Sequence, residues 1–344
     1  MKAIQLMAVG IPGQFKSGEA PDPRPGPDEV VVQVHACGVN RLDLWIEEGG
    51  LPVPVQLPRI LGSEVAGRVV GLGEDVDEWQ LGDRVAVQSN LFCGECEFCL
   101  RGDESLCLHG ELLGVQHDGG FAERLAVPWR ALVRLPENVD FRTAAALTLA
   151  GSTAMHMLTD RAEVSAGDWV LVMAGAGGVG SIAVQIAKQL GARVIATASS
   201  ALKRDLAQKL GADYVVDSTA RDWTAQVRRI TEKRGVHLVI EHVGGKTLEA
   251  VFDCLARGGT VVTCGATAGR EVTLNLWPLF VKQQRLIGSY GRNRTDLAAT
   301  LEWAAAGKLK PVVERYCTLE EVPAALNALR QRSVLGKWVV VPHP

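Results

Sequence analysis

The sequence predicts an α/β protein in which a β-rich first third is followed by a doubly wound parallel sheet. Short valine-rich runs such as VVVQVHACGV and EVAGRVVGLG alternate with turn-forming stretches in the first third, and this pattern is typical of compact β modules. From Asp168 onward, apolar strand segments alternate with helical segments. Alternation of this length indicates parallel βαβ units with right-handed crossovers.

The parallel region begins with the apolar strand DWVLVMAGAGG, and we expect a helix from Val179 to Leu190. Further strands are predicted in ARVIATAS, YVVDS, VHLVIEHVG and TVVTCGA, with helices in the segments between them, such as TLEAVFDCLARGG. A later helix over TDLAATLEWAAAGKL precedes a final strand in GKWVVVP. A chain of 344 residues is long enough for two domains.

Composition and charge exclude several classes of partner. The formal net charge is −3, so no overall field attracts nucleic acid or an anionic membrane surface. No apolar run reaches the ~20 residues that span a bilayer, and the first residues, MKAIQLMAVG, do not resemble a signal peptide. We therefore expect a cytoplasmic protein that acts on a small molecule.

A glycine motif follows the first apolar strand of the parallel region and opens a helix. It reads Gly175–Ala176–Gly177–Gly178–Val179–Gly180, and in this setting it predicts a Rossmann dinucleotide site. Gly175 permits the tight turn, Gly177 lets the backbone approach a pyrophosphate, and Gly180 allows close packing of the helix. The alternative is a glycine-rich turn that binds no ligand, and the βαβ units downstream weigh against it.

The end of the second parallel strand decides which dinucleotide is favoured. NAD sites carry Asp or Glu there to bind the ribose hydroxyls. This chain has Ser199 and Ser200, followed by Lys203 and Arg204. Hydroxyl groups and cations suit a 2′-phosphate, so we predict that NADP(H) is preferred over NAD(H). The alternative is that the two cations belong to an ordinary solvated helix face.

Four of the eight cysteines lie in one short stretch. Cys93, Cys96, Cys99 and Cys107 can close tetrahedrally around zinc. Four sulfur ligands leave no open coordination position, so such a zinc holds the loop together and takes no part in the chemistry. Disulfide or free thiols are the alternative, which the spacing disfavours. We expect one structural zinc per chain.

Together these motifs resemble the medium-chain dehydrogenase/reductase superfamily along the whole chain. Gly62–Ser63–Glu64 is similar to its Gly-His-Glu segment, and the cysteine stretch resembles the structural zinc lobe of its alcohol dehydrogenase branch. The resemblance implies a GroES-like catalytic domain formed by residues 1–151 and 289–344. A Rossmann domain, residues 152–288, is then inserted between them. It also implies a homodimer or homotetramer.

The resemblance places the ligands of the family's catalytic zinc on Asn40, Ser63 and Ala150, and the proton-relaying hydroxyl on Leu42. Amide, hydroxyl and methyl groups are poor substitutes for thiolate, imidazole or carboxylate ligands. Glu64 is retained, but one carboxylate does not make a catalytic zinc site. We therefore expect no catalytic zinc in this chain.

The segment Asn40–Arg41–Leu42–Asp43 is instead similar to the zinc-free quinone oxidoreductase branch. This likeness implies NAD(P)H-dependent reduction, by hydride transfer, of an α,β-unsaturated carbonyl or a quinone. In such acceptors the conjugated carbonyl itself spreads the developing charge, so the protein needs only to orient the reactants and donate hydrogen bonds. One alternative is an NAD(P)-dependent zinc-type alcohol dehydrogenase, and another is a dinucleotide-binding protein without catalysis.

The candidate catalytic residues are Asn40, Ser63 and Arg41 as hydrogen-bond donors to the developing oxyanion, with Asp43 orienting its neighbours. The alternative for each is a residue of the cleft wall whose hydrogen bonds are satisfied locally. By the resemblance, Thr153 contacts the nicotinamide end of the cofactor. The other cofactor candidates are Gly175, Gly177, Gly178, Val179, Gly180, Ser199, Ser200, Lys203, Gly265 and Ser289.

Overall fold

A computed structural model describes residues 1–343, and the chain in it divides into two units. Unit 1 contains Met1–Ser152 and Arg292–Pro344, and unit 2 contains Thr153–Gly291. The predicted inserted domain, 152–288, therefore starts one residue early and ends three residues early. No helix within residues 1–343 is long and apolar enough to cross a membrane.

The strands are numbered in chain order. They are β1 (Lys2–Ala8), β2 (Gln14–Glu19), β3 (Glu29–Gly38), β4 (Arg59–Ile60), β5 (Glu64–Leu72), β6 (Arg84–Val87), β7 (Asn90–Leu91), β8 (Glu111–Leu112), β9 (Arg124–Pro128), β10 (Leu132–Arg134), β11 (Trp169–Val172), β12 (Arg193–Ala198), β13 (Tyr214–Asp217), β14 (Val236–Glu241), β15 (Leu255–Thr263), β16 (Arg285–Gly288), β17 (Val313–Cys317) and β18 (Lys337–Val340).

The α-helices are numbered in the same way. They are α1 (Arg41–Glu47), α2 (Glu97–Leu100), α3 (Phe141–Ala145), α4 (Ala150–Thr159), α5 (Gly178–Gln189), α6 (Ala201–Lys209), α7 (Trp223–Ile230), α8 (Gly245–Cys254), α9 (Leu276–Val281), α10 (Arg294–Ala305) and α11 (Val322–Arg330). Short 3₁₀ turns occupy Glu104–Leu106 and Trp129–Ala131.

Unit 1 is built on a seven-stranded sheet with the order β10-β6-β5-β3-β18-β17, and β9 also pairs with β3. The central strand β3 is valine-rich and mostly buried, because apolar side chains cover both of its faces. It lies so close to β5 that a Cβ atom on Gly67 would overlap the carbonyl oxygen of Gln33. Only glycine fits there.

The C-terminal part of the chain completes this sheet. Strand β18 pairs antiparallel with the end of β3, with Val339 opposite Gly38 and Val340 opposite Cys37. Residues from near both ends of the sequence therefore share one hydrophobic core, which includes Ile4, Val34 and Val340. This pairing also brings Lys337, the first residue of β18, to the segment that follows β3.

Unit 2 contains a six-stranded parallel sheet with the order β13-β12-β11-β14-β15-β16. The strand order reverses beside β11, which pairs with β12 on one side and β14 on the other. All four residues of β11 are buried, as expected for a strand whose two faces are covered by helices. The predicted doubly wound α/β fold is confirmed. Ligands in such folds bind at the carboxyl ends of the strands, beside the reversal.

Two elements of unit 2 differ from the sequence prediction. The helix predicted over TLEAVFDCLARGG ends at Cys254, because Leu255 already pairs with Val236 of β14 as the first residue of β15. Helix α9 has no counterpart in the prediction. Its six residues, LWPLFV, contain a proline and are too few to display helical periodicity.

Candidate active site

The glycine turn lies between β11 and α5, at the carboxyl end of a central strand of the parallel sheet. Gly177 is the N-cap of α5. A Cβ atom on Gly180 would overlap the carbonyl oxygen of Ala174, whereas one on Gly177 would meet nothing closer than 3.4 Å. The backbone at Gly177 is therefore open on that side. The turn presents a helix N-terminus of the kind that binds phosphate groups.

Strand β12 ends at Ala198, and hydroxyl side chains follow it where many dinucleotide sites have a carboxylate. The Ser200 hydroxyl caps α6 by accepting a hydrogen bond from the backbone N–H of Lys203 at 3.3 Å. Arg204 donates from Nη1 to Oδ2 of Asp217, at 2.7 Å. Part of the positive charge predicted here is therefore already neutralised by the protein.

The other cofactor candidates in unit 2 follow neighbouring strands. Gly265 lies just after β15 and Ser289 just after β16, and the backbone N–H of Ser289 donates to the carbonyl oxygen of Thr263 at 2.8 Å. Since the strands are parallel, these positions lie at the same edge of the sheet as the glycine turn. Thr153 is buried in α4, where unit 2 begins.

The four clustered cysteines of unit 1 converge on one point. The sulfur atoms of Cys93, Cys96, Cys99 and Cys107 all lie within 4.8 Å of one another. Backbone N–H groups lower the pKa of Cys93 and bring that of Cys96 to about 6, which favours the thiolate form that binds metal, whereas burial raises the pKa of Cys107 and brings that of Cys99 to about 12. Four convergent sulfurs fit the tetrahedral coordination of zinc. The cluster can therefore hold the expected structural zinc.

Asn40 lies between the end of β3 and the start of α1. Both the nitrogen and the oxygen of its side-chain amide form hydrogen bonds within the protein. Its Nδ2 group donates to the carbonyl oxygen of Gly38 at 3.2 Å and to Oε2 of Glu64 at 3.0 Å. Its Oδ1 atom accepts from Nζ of Lys337 at 2.7 Å. Both amide protons are used, so this geometry contradicts the expectation that Asn40 donates to a substrate oxygen. Asn40 is instead a positioning residue.

The centre of this network is an ion pair between Lys337 and Glu64. Their side chains are 4% and 0% exposed, and Nζ lies 2.7 Å from Oε2. Nζ also donates to the carbonyl oxygen of Val39 at 3.2 Å. The other carboxylate oxygen of Glu64 accepts the backbone N–H groups of Leu149 and Ala150 at 2.8 and 2.9 Å. Each charge therefore has a full set of partners.

Lys337 is the residue of this site that sequence reasoning missed. The only indication in the sequence was that a lysine begins the apolar run KWVVV. A lysine at the end of a strand is more often exposed to solvent than buried. Its role depends on the pairing of β18 with β3, which joins residues about 300 positions apart. No local pattern encodes that pairing.

Asp43 and Ser63 differ in how far their hydrogen bonds agree with the roles expected from the sequence. Asp43 accepts the backbone N–H groups of Asn40 at 2.7 Å and Gly62 at 3.1 Å, as expected for a residue that orients its neighbours. Burial raises its pKa to about 7, against the lowering effect of these N–H groups. The Ser63 hydroxyl donates to the carbonyl oxygen of Leu113 at 2.6 Å. Its proton is therefore used locally, contrary to its expected role as an oxyanion donor.

Arg41 differs from these residues because its guanidinium makes no hydrogen bond within residues 1–343. It is the first residue of α1, directly after Asn40. Burial and the nearby Arg332 lower its pKa, and the carboxylate of Glu48 acts against them. Of the predicted donors, Arg41 is the one whose side-chain N–H groups are not used by the protein in the described residues.

A catalytic zinc does not fit the residues at this centre. Asn40 and Ser63 supply an amide and a hydroxyl that are already engaged, and Glu64 is neutralised by Lys337. Zinc requires thiolate, imidazole or carboxylate ligands with free lone pairs. Within residues 1–343, the four-cysteine cluster is the only group of three or more His, Cys, Asp or Glu side chains with metal-binding spacing.

Comparison with known proteins agrees with this architecture. An alcohol dehydrogenase GroES-like domain model matches residues 26–137, and a zinc-binding dehydrogenase model matches residues 178–306. The chain is 32% identical to an NAD-dependent alcohol dehydrogenase of Saccharolobus solfataricus, over 99% of this chain and all of the relative. It is also 32% identical to an alcohol dehydrogenase of Schizosaccharomyces pombe, over 98% and 97% of the two chains.

A solved crystal structure of an NAD-dependent alcohol dehydrogenase superposes with a TM-score of 0.95. It is 39% identical to this chain, and the match covers 99% of both chains. The parallel sheet with its glycine turn, together with the GroES-like unit, defines a nicotinamide-dinucleotide-dependent oxidoreductase. The chain belongs to the medium-chain dehydrogenase/reductase superfamily.

The four-cysteine cluster yields a direct prediction. Purified protein should contain one zinc per chain by elemental analysis. Cys96→Ser should lose that zinc and lower the Tm by roughly 5–10 °C, because a metal site holds together a loop without its own core. Cys254→Ser, at a cysteine outside the cluster, should keep the zinc. Two zinc ions per chain in the unaltered protein would contradict the conclusion that the residues around Asn40 do not bind zinc.

Proposed function

We propose that this oxidoreductase reduces an activated carbon–carbon double bond conjugated to a carbonyl, or a quinone, without a catalytic metal. The main support for this proposal is the hydrogen-bond network around Asn40. The positions that resemble the ligands of the family's catalytic zinc hold an amide and a hydroxyl, and the neighbouring carboxylate of Glu64 is paired with Lys337.

The chemistry balances without a Lewis acid. Hydride leaves the reduced nicotinamide and forms a bond to the β-carbon of the conjugated carbonyl, and the electron pair of the double bond moves to the carbonyl oxygen. A proton from solvent then adds to the α-carbon. The oxidised nicotinamide and the saturated carbonyl compound are the products. The protein's part is to orient the two reactants and to stabilise the enolate oxygen.

Arg41 is the residue that we propose for binding negative charge during this reaction. Its guanidinium is partly buried, lies near the charges of both Arg332 and Glu48, and makes no hydrogen bond in residues 1–343. An anionic oxygen would supply the hydrogen-bond acceptor that the protein does not. Such an oxygen is present on the enolate and on the phosphates of the dinucleotide. An effect of Arg41 on kcat would indicate the enolate, and an effect on the Kd of the dinucleotide would indicate a phosphate.

A second candidate function is the oxidation of alcohols or the reduction of simple ketones. The names of the relatives from Saccharolobus solfataricus and Schizosaccharomyces pombe favour it. Polarising an unactivated carbonyl without zinc forfeits several kcal/mol of charge stabilisation. This function would therefore require metal ligands other than the residues aligned with the family's zinc site.

An acceptor panel separates the two functions. Enones and quinones should be reduced with kcat/KM at least ~100-fold above simple alcohols and ketones, the scale expected from several kcal/mol. Treatment with a mild chelator that leaves the lobe zinc in place should not change this activity. Alcohol oxidation that disappears on chelation and returns with zinc would establish the second function instead.

Arg41→Gln gives a further measurement within the same assay. If the enolate is its ligand, kcat should fall ~10²–10³-fold, the scale for one oxyanion donor, with unchanged cofactor affinity. If a cofactor phosphate is its ligand, the Kd of the dinucleotide should rise instead. Arg24→Gln, at a position outside this site, is the matched control. Unchanged kcat and Kd would remove Arg41 from the mechanism.

We also propose a modest preference for NADP(H) over NAD(H). Its basis is the absence of a carboxylate after β12 and the presence of Ser199, Ser200 and Lys203 at that place. The pairing of Arg204 with Asp217 weakens the case for a strong preference. Two of the similar proteins are named NAD-dependent, so their names do not support a preference for NADP(H). The proposed preference is based only on the residues of this chain.

Measured affinities test the cofactor proposal. NADPH should bind several-fold more tightly than NADH, and Lys203→Ala should remove most of the difference, since a charged hydrogen bond contributes ~1.5–3 kcal/mol. Arg204→Ala is the matched variant at the second cation, whose guanidinium is held by Asp217, and combining the two changes should narrow the difference further. Tighter binding of NADH by the unaltered protein would refute the preference.

The proposed assembly is a homodimer in which β16 pairs with its copy. Strand β16 forms one edge of the parallel sheet, and an open edge with exposed apolar neighbours invites pairing. Trp277 and Phe280 of α9 are 70% and 58% exposed, and Leu286 of β16 is 40% exposed. A two-fold axis would place the same apolar surface of each copy against the other.

Sedimentation equilibrium tests this assembly. The unaltered protein should sediment as a dimer or a larger even-numbered oligomer. Trp277→Lys combined with Leu286→Lys should shift it to monomer, because each copy would bring a charge into the apolar contact. Leu202→Lys, at a leucine of α6 that is 63% exposed, should leave the assembly intact. A monomeric unaltered protein would exclude the proposed contact.

A further inference from the structure

We propose that Glu241, a buried carboxylate of unit 2, stabilises the oxidised nicotinamide relative to the reduced one, so that the bound reduced dinucleotide is a stronger hydride donor. The proposal rests on the dinucleotide dependence of this superfamily and not on the acceptor proposed above. Glu241 is the last residue of β14 and is 0% exposed. It takes no part in the reaction steps described so far.

Within residues 1–343, the carboxylate of Glu241 is the acceptor in every hydrogen bond of its side chain. Oε1 accepts the backbone N–H groups of Val243 at 2.6 Å and Gly244 at 2.8 Å. Oε2 accepts the hydroxyl of Thr263 at 2.9 Å, and Thr263 lies opposite Glu241 in the pairing of β14 with β15. An ionised carboxylate is an acceptor only, so this set of partners fits the charged form of Glu241.

This negative charge is not neutralised by a cation, and Asp217 provides the contrast. Asp217 ends β13 and accepts the backbone N–H and the hydroxyl of Thr219 at 2.9 and 2.7 Å, but it also pairs with Arg204 at 2.7 Å. Glu241 forms no ion pair with any Lys, Arg or His side chain of residues 1–343. Its neutral donors and the N-terminus of α8, equivalent to about half a positive charge, offset only part of its charge.

The position of Glu241 in the sheet puts its charge on the nicotinamide side of the dinucleotide site. The strand order β13-β12-β11-β14-β15-β16 is that of two mononucleotide-binding halves. In such sheets the turn after the first strand receives the pyrophosphate, and the end of the second strand faces the adenosine ribose. Those strands are β11 and β12 here. The nicotinamide half therefore faces the strands beyond the reversal, and Glu241 and Thr263 end two of them.

Direct contacts within unit 2 join the end of β14 to the cofactor candidates. Nε2 of His242 lies 2.9 Å from the carbonyl oxygen of Met173, which leads into the glycine turn. A Cβ atom on Gly265 would lie 2.8 Å from the carbonyl oxygen of His242. The loop after β14 is also held from its far side, where the N–H of Ala268 donates to the carbonyl oxygen of Val243 at 2.6 Å. Removing the charge of Glu241 should therefore leave the loop folded.

Hydride transfer changes the charge of the nicotinamide ring by one unit. When the acceptor takes a hydride, which is a proton with two electrons, the neutral ring is left as a pyridinium cation. A fixed negative charge nearby lowers the free energy of the cation and has little effect on the neutral ring. Burial keeps salt from screening this interaction. Glu241 therefore favours hydride donation over the reverse reaction.

The test compares the Kd of NAD⁺ and of NADH in the parent and in Glu241→Gln. Glutamine can still accept the two backbone N–H groups, and its amide nitrogen can donate to the hydroxyl of Thr263, so the substitution removes charge and keeps hydrogen bonds. The Kd of NAD⁺ should rise ~3–10-fold, the Coulomb scale for one charge several ångströms away. The Kd of NADH should change less than about twofold. An equal effect on both forms would overturn the proposal.

Two further variants separate charge from geometry. Thr263→Val removes one hydrogen bond of Glu241 and keeps its charge, so it should change the Kd of both redox forms by the same factor. Asp217→Asn removes a carboxylate that Arg204 already neutralises at the same edge of the sheet, and it should leave the ratio of the two Kd values unchanged. A shift of this ratio in either variant, as large as in Glu241→Gln, would refute the assignment to the charge of Glu241.

A ligand with a neutral ring makes the same comparison without a substitution. In benzamide adenine dinucleotide an uncharged benzamide ring replaces the pyridinium ring. The parent should bind NAD⁺ ~3–10-fold more tightly than this analogue, and Glu241→Gln should lose most of that preference. Equal or weaker binding of NAD⁺ by the parent would overturn the proposal even if Glu241→Gln fails to fold. No acceptor is present in these measurements, so their outcome is independent of the acceptor class proposed above.

Discussion

The geometry of the candidate active site in unit 1 depends on one buried ion pair, that of Lys337 with Glu64. Removing two charges from water costs several kcal/mol per ion, and their attraction offsets this only when the remaining hydrogen-bonding capacity is satisfied. Here the ammonium has three acceptors, and each oxygen of the carboxylate has two donors. Loss of either partner would leave the other charge uncompensated, at a cost of about 3–5 kcal/mol. The pair therefore fixes β18, the end of β3, the start of β5 and the start of α4 together.

The ion pair of Lys337 and Glu64 also determines which hydrogen bonds the neighbouring side chains can form. In a zinc centre the metal gathers the surrounding side chains, whereas here the ammonium of Lys337 gathers Glu64 and Asn40 around itself. Both amide protons of Asn40 are consequently used within the network, and Arg41, one residue further along, is not part of it. In the proposed reaction, a network that is already fully hydrogen-bonded needs no rearrangement when negative charge develops nearby.

The sequence predicted those parts of the molecule that local spacing encodes. Gly177 and Gly180, the four clustered cysteines and the alternation of strands and helices in unit 2 each appear within a few tens of residues. The role of Asn40 could not be read in this way, because its partners Glu64 and Lys337 are distant in sequence and meet only when β3, β5 and β18 pair. The boundary between α8 and β15 was missed for a similar reason, since Leu255 is drawn into a strand by Val236.

The discontinuity of unit 1 affects the order in which the protein can fold during synthesis. Unit 2 is one continuous segment, so its parallel sheet can form as soon as Gly291 has left the ribosome. The sheet of unit 1 must wait for Lys337–Val340, because β18 covers the end of β3 at Cys37 and Gly38 and carries the lysine that neutralises Glu64. Until then the end of β3 lacks a partner strand there, and β5 carries an uncompensated carboxylate. Nascent chains of this protein therefore pass through an interval of exposure to aggregation whose length is set by the time taken to translate the segment from Arg292 to Val340.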